Sequence, residues 1–395
     1  MKKNKPFPEL LFVWALPKKH HMSHWDALSP RTSVMPPWLY LAALSQLEAV
    51  LHVGPHKTGS TTLQVAIVEN RLIRRLIQAD GYLVADDCPG PVPAHTAKNG
   101  VNFAFAARNS SGFECAQCRW LVRAAEQAAA AAQHLFYTSE ELSLANTHVI
   151  AHVSAALRGA GYAVRFVVVY RRLHDRLPSE HREVYPLSGG GVGAYMTLTQ
   201  YVTMHLHRID TPSDFAHLCR TLAHHGAVSV LDFRSAVGQP NSSFVTEFVC
   251  SQLRAPSTCA ALRTTPGLRR TAGAANARSP SLTPIYDIAY GVGAASGVHT
   301  IALRAMVFEI RRQLRRNPDL PLPVVCVEPG TRAQLWKLAQ SEEGAALRRP
   351  LTRAETSELR DDFDRKVDSF CSVDVEALVM EPAWQRPLDA VRAVL

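Results

Sequence analysis

The chain has no long apolar run, no dense set of cysteines and no extended basic stripe, and each absence removes a class of protein. Eight cysteines in 395 residues are too few for a disulfide scaffold, and they form neither paired C-x-x-C zinc spacing nor a haem attachment site. Cys115 and Cys118 make one lone C-x-x-C, read as two incidental thiols because no second pair lies nearby. The apolar stretch between Pro8 and Pro17 stops well short of the roughly 20 residues that span a bilayer. Val34 to Val53 is longer, but Glu48 and two prolines argue against a spanning helix. Lys2, Lys3 and Lys5 ahead of residues 9–16 leave a secretory signal open as a second reading. No internal repeat is visible.

What is present is ordinary globular composition with a basic balance. Apolar residues make up 47% and charged residues 19%, so the chain has the means to bury a core. Lys plus Arg number 43 against 34 Asp plus Glu, a formal net charge of +9, which favours an anionic partner. The arginines gather in short groups, Arg71 to Arg75, Arg269 to Arg270 and Arg311 to Arg316. Groups of this length read as solvated faces, and nucleic acid is not expected as a partner.

Residues 1–46 carry Lys, His, Pro and Trp without sustained period and read as an extension; 47–395 reads as a single domain, with an α/β core over 47–260 and a helical part over 261–395. Val50 to Val53 is a short apolar run, followed by a Gly-bounded loop and by helical spacing over Thr62 to Ile77. Ala124 to Gln133 reads as a helix, His134 to Thr138 as a strand, and Thr147 to Arg158 as a helix closing at Gly159. Val164 to Tyr170 is nearly all apolar and β-branched, as in a parallel strand covered on both faces. Asp214 to His225 reads as a helix and Val228 to Phe233 as the next strand. This alternation predicts an α/β fold with a mainly parallel sheet. Thr264 to Pro284 reads as a loop, and Ile301 to Arg316 and Thr356 to Phe370 as helices packed on the same sheet, with a small separate helical domain as the alternative.

The loop after the first strand, Gly54-Pro55-His56-Lys57-Thr58-Gly59-Ser60-Thr61-Thr62, has the make-up of an anion cradle. Its glycines let backbone N–H groups turn inward, the following helix presents its positive end, and Lys57 adds a full charge. Lys57 precedes the second glycine, whereas the Walker pattern places lysine after it. This run resembles the 5′-phosphosulfate loop of sulfotransferases that use 3′-phosphoadenosine 5′-phosphosulfate (PAPS). The end of the strong strand, Arg171-Arg-Leu-His-Asp175-Arg-Leu-Pro-Ser179, resembles that family's 3′-phosphate motif, with Arg171, Asp175 and Ser179 matching in type and spacing. A guanidinium holds a phosphate bidentately and a hydroxyl on the next helix donates to a further oxygen.

The resemblance implies a nucleotide-kinase-like, three-layer α/β fold with a central parallel sheet, and PAPS as sulfuryl donor without an obligatory metal. It implies donor binding by Pro55, His56, Lys57, Thr58, Gly59, Ser60, Thr61, Thr62, Arg171 and Ser179. The acceptor would be a hydroxyl or amine, with a carbohydrate favoured. Tyr137-Thr138-Ser139-Glu140-Glu141-Leu142 ends a strand where ligands collect in open α/β sheets. In carbohydrate-type members the base is usually a glutamate in this region, so the resemblance points to Glu140, with Glu141 second; a helix N-terminal carboxylate is the structural alternative. The Lys-Thr-His sequence of the cytosolic branch is missing. Carbohydrate-type members are mostly lumenal, so residence in the Golgi lumen is favoured over the cytoplasm. Cys250 and Cys259 are then spaced for a disulfide. The rival readings are a P-loop nucleotide kinase and a catalytically inactive nucleotide-binding protein.

Several further features carry two readings each. His52, His56 and His181 lie close to the motifs, and each is a candidate catalytic group or an ordinary core or surface histidine. Asp232 imitates a Walker B aspartate and reads as a strand terminus. Ser188-Gly-Gly-Gly-Val-Gly193 is an acceptor-side lid or a plain linker, and Asn109-Ser-Ser and Asn241-Ser-Ser match glycosylation sequons.

Overall fold

The structure, a computed structural model, describes residues 46–54, 59–86, 116–139, 142, 143, 145, 147–187, 195–206, 215–237, 243–268, 283–296 and 300–394. Gln46–Leu395 is one compact unit; the expected N-terminal extension falls outside the described residues except for Gln46. Strands β1 (Glu48–His52), β2 (Tyr82–Val84), β3 (His134–Thr138), β4 (Ala163–Tyr170) and β5 (Ala227–Asp232) form a parallel sheet in the order β2-β3-β1-β4-β5. The fold is therefore α/β with a central five-stranded parallel sheet. β4 is buried at every position after Ala163, which is why its sequence shows no polar alternation.

Register assigns the sheet side chains to two faces. Leu51 stands opposite Tyr137 on one side and Phe166 on the other. These three pack with Leu121 and Ala125 of α3 (Ala116–Ala130), Val153 and Leu157 of α4 (Thr147–Gly159), and Leu222 of α7 (Phe215–Ala223). The alternate residues Val50, Phe136, Val167 and Val169 face α1 (Ser60–Leu63) and α2 (Arg71–Ala79). On that face they also meet the segment formed by α9 (Phe244–Glu247), a wider turn over Phe248–Leu253, and α10 (Pro256–Thr264). The result is three layers, helices on both faces of one sheet. β1 leaves toward β2 through helices on the second face, whereas its neighbour β3 leaves through α4 on the first face and crosses to β4. Adjacent strands with diverging connections open a crevice at their carboxyl ends, where ligands bind in such sheets.

The expected helix over Thr62 to Ile77 is broken. α1 runs on into a π-type stretch, Gln64–Glu69, and stops at Asn70, whose side chain accepts from the Leu72 and Ile73 amides and starts α2. β2 is only three residues long and gave no usable period. Asp232 does end β5, and its carboxylate accepts from the amides of Arg234 and Ser235 to cap α8 (Phe233–Val237).

The chain beyond residue 283 is built onto the helices that follow β4. Leu173 and Leu177 of α5 (Leu173–Leu187), Val202 of α6 (Leu198–Leu206), Leu335 of α13 (Pro329–Leu347) and Phe363 of α14 (Arg353–Val367) share one core cluster. A second cluster joins α11 (Thr283–Ser296), α12 (Thr300–Arg316), α15 (Val375–Met380) and α16 (Gln385–Arg392). Strands β6 (Val324–Cys326) and β7 (Cys371–Val373) pair antiparallel and are cross-linked by Cys326–Cys371. Cys250–Cys259 is also bonded and staples the turn before α10 to that helix. The second bridge was invisible in sequence, because its cysteines lie 45 residues apart. Among the described residues no helix is long and apolar enough to cross a membrane.

Candidate functional site

The site begins where β1 stops. Val53 donates its amide to the Val167 carbonyl at 2.9 Å, which keeps the start of the loop beside β4. Pro55, His56, Lys57 and Thr58 lie outside the described residues. Gly59 re-enters at φ +93°, and a Cβ there would stand 2.7 Å from Phe244 Cε1 and 2.9 Å from Phe233 Cε2. Glycine is thus required twice, for the left-handed backbone and for the space. Ser60 follows, buried, with no hydrogen-bond partner for its Oγ among the described residues. Thr61 and Thr62 continue the first turn of α1, partly exposed.

The second motif starts from the neighbouring strand. Arg171 leaves the end of β4 and places Nη1 3.3 Å from Ser179 Oγ on α5. Arg182, one helical turn on, places Nη2 3.5 Å from the same oxygen. Burial and the Arg182 charge both act to lower the pKa of Arg171, with Asp175 opposing them. Two guanidiniums and a hydroxyl converging on one point make a donor set suited to a multiply charged anion. Arg171 also lies over the Phe233 ring, 5.6 Å from its centre. The ring that closes on Gly59 therefore touches Arg171 as well, so the two motifs meet at Phe233.

β3 supplies the third edge. His52 Nδ1 is 2.8 Å from Thr138 Oγ1, and the Ser139 amide donates to the His52 carbonyl at 3.0 Å. The segment that carries Glu140 and Glu141 thus starts beside the loop that carries Lys57; both glutamates lie outside the described residues. His52 is fully buried against Phe248, and burial pushes its pKa from 6.5 down to about 3. It is neutral at physiological pH and ties β1 to β3. His181 is buried too and pairs through Nε2 with the Met196 carbonyl at 2.7 Å. Burial lowers its pKa, so this histidine joins α5 to the segment before α6. His56, Ser188 to Gly193, the Asn109-Ser-Ser sequon and Asn241 and Ser242 of the second sequon lie outside the described residues; Ser243, its third residue, caps α9 by accepting from the Thr246 amide at 3.1 Å.

Behind the second motif sits an ionic hub. Asp362 of α14 accepts from Arg172 Nη1 at 2.8 Å and from Arg365 at 2.6 Å, with His174 Nε2 at 3.0 Å. Lys366 donates to Asp175 at 2.6 Å. Bonds from His174, Arg172 and Arg365 hold the Asp362 carboxyl far below the usual carboxylate range despite its burial. His174, Asp175 and Asp362 are close enough to chelate an ion. Their carboxylates, however, already face Arg172, Arg365 and Lys366, so side-chain cations balance the charge. Arg176, fully buried, is held by Glu180 at 3.0 Å and Glu342 at 2.8 Å. Helices α13 and α14 thereby fix the helix that presents Ser179.

Sequence reasoning missed Phe233, Phe244, Arg182 and Asp362. Arg182 was legible as the residue one helical turn after Ser179. The two phenylalanines and Asp362 carry no local signal, since they arrive from distant segments. No protein-family model matches the chain, and no match is found among curated proteins or solved structures.

Proposed function

We propose that the chain is a PAPS-dependent sulfotransferase with a P-loop, nucleotide-kinase-like fold, acting on a hydroxyl or amine and most readily on a carbohydrate. One observation carries this reading: the two motifs leave the carboxyl ends of the adjacent strands β1 and β4, beside the crevice that opens at β1, and converge on Phe233. That arrangement suits one extended ligand with an anion at each end better than two unrelated sites. Arg171, Arg182 and Ser179 would take the 3′-phosphate. The loop from Pro55 to Thr62 would take the 5′-phosphosulfate, which supplies the transferable sulfuryl group.

In the reaction Glu140 accepts the acceptor's proton as the new O–S or N–S bond forms. Lys57 and loop amides meet the charge left on the phosphate oxygen as its bond to sulfur breaks. No metal is assigned a role, and the hub at Asp362 keeps its side-chain cations. The bonded pairs Cys250–Cys259 and Cys326–Cys371 support maturation in an oxidising compartment such as the Golgi lumen.

Calorimetry with adenosine 3′,5′-bisphosphate, adenosine 5′-phosphate and ATP, with and without Mg²⁺, tests the reading. Arg171→Ala and Ser179→Ala are each expected to weaken the bisphosphate by about 1.5–3 kcal/mol while sparing adenosine 5′-phosphate. Equal losses for both ligands would overturn the 3′-phosphate assignment, and tighter Mg²⁺-dependent ATP binding would assign the site to a nucleotide kinase. Glu140→Gln is expected to keep donor affinity and lose roughly 10²- to 10⁴-fold in turnover. Lys57→Ala is expected to lower kcat more than it raises KM.

A further inference from the structure

The arginine group near residue 311 is part of a larger basic face. Helices α12 and α16 pack against each other and carry seven arginines but only two carboxylates, Glu309 and Asp389. Both carboxylates are taken, Glu309 by Arg312 at 2.7 Å and Asp389 by Arg392 at 3.2 Å. Arg304, Arg311, Arg315, Arg316 and Arg386 have no carboxylate within 4.0 Å among the described residues. Arg304, Phe308, Arg311 and Arg315 recur at spacings that fall on one side of a helix, over about 16 Å of its length. The opposite side, with Met306, Val307 and Ile310, is buried in the core. Phe308 is 70% exposed in the middle of this stripe, and Arg311 Nε is buried with no partner.

We infer that this face docks an acidic polysaccharide, a chain bearing sulfate or carboxylate groups. Spaced anions complement the spaced guanidiniums, which bind sulfate and carboxylate as forked donors. The Phe308 ring offers a flat apolar surface for the C–H face of a sugar. An anionic bilayer fits less well, because interfacial helices insert a whole apolar face and that of α12 is spent in the core. Single-stranded nucleic acid also stacks on aromatic rings, but the two disulfides favour an oxidising compartment. The inference does not need the sulfotransferase reading, since docking is measured without donor or turnover.

The test is binding of the full chain to dextran sulfate across a salt series. Neutral dextran, phosphatidylserine–phosphatidylcholine vesicles and oligo-dT are compared at matched charge. The wild-type chain is expected to prefer dextran sulfate, with affinity falling as salt rises. Joint Arg304→Ala, Arg311→Ala and Arg315→Ala should weaken it by about tenfold or more. A charge-matched control, Arg71→Ala, Arg75→Ala and Arg123→Ala, should stay within about twofold, the range left to long-range charge alone. Phe308→Ala, which changes no charge, should cost severalfold. Equal losses in the two triple variants, an unchanged Phe308→Ala, absence of binding, or tighter binding to vesicles or oligo-dT would each overturn the inference.

Discussion

Arg171 carries its guanidinium carbon 5.6 Å from the ring centre of Phe233, the same ring that would meet a Cβ on Gly59 at 2.9 Å. One aromatic side chain from the start of α8 thus braces both halves of the candidate site. Gly59→Ala is expected to destabilise the protein by about 2–4 kcal/mol, from left-handed strain and overpacking together. In a Phe233→Ala background part of that cost should vanish, because the ring contact is gone while Phe244 and the backbone strain remain. A double-mutant cycle by urea unfolding measures the difference; strict additivity would show that the ring does not brace the loop.

His52 contributes a pH dependence whose sign follows from its burial. Its folded pKa lies near 3 against 6.5 for the free side chain. Between those values the unfolded chain binds a proton that the folded chain refuses. Stability contributed by this site is complete above pH 6.5 and is lost as pH falls toward 3, at no more than about 1.4 kcal/mol per pH unit. His52→Asn should flatten the stability curve between pH 6 and 4 relative to wild type, as followed by denaturant unfolding at each pH.

Asp362 should be a costly carboxylate to remove. Asp362→Ala leaves Arg172, His174, Arg365 and Lys366 without their shared acceptor, and breaking a buried pair of this kind costs about 3–5 kcal/mol. Its depressed pKa adds acid sensitivity: the contribution is present above the unfolded value of 3.8 and declines below it. Hydrogen exchange of residues 171–176 should accelerate in the variant. Protection unchanged from wild type would mean that α14 does not hold the second motif in place.

The two disulfides should differ in worth. By loop-closure entropy Cys326–Cys371, spanning 45 residues, stabilises by about 4 kcal/mol, and Cys250–Cys259 by about 2.6 kcal/mol. Thermal unfolding of Cys326→Ser and Cys250→Ser variants checks the order. Non-reducing mass mapping of protein from its native source should find both bridges.

Sequence by itself determined the α/β alternation and the identity of β4 as a strand covered on both faces, and it marked the loop and the Arg171–Ser179 segment as the candidates for the proposed anion site. Each is written in local terms, a run of β-branched residues or a spacing of glycine, cation and hydroxyl. Only the tertiary structure decided that β1 lies between β3 and β4, since strand order depends on which faces the connecting helices cover. It alone decided that Phe233 bridges the two motifs, that Asp362 anchors the second from 190 residues away, and that Cys326 meets Cys371. These contacts are set by packing between segments distant in the chain, and no local pattern of residue types encodes the partner that a side chain will find across a folded core.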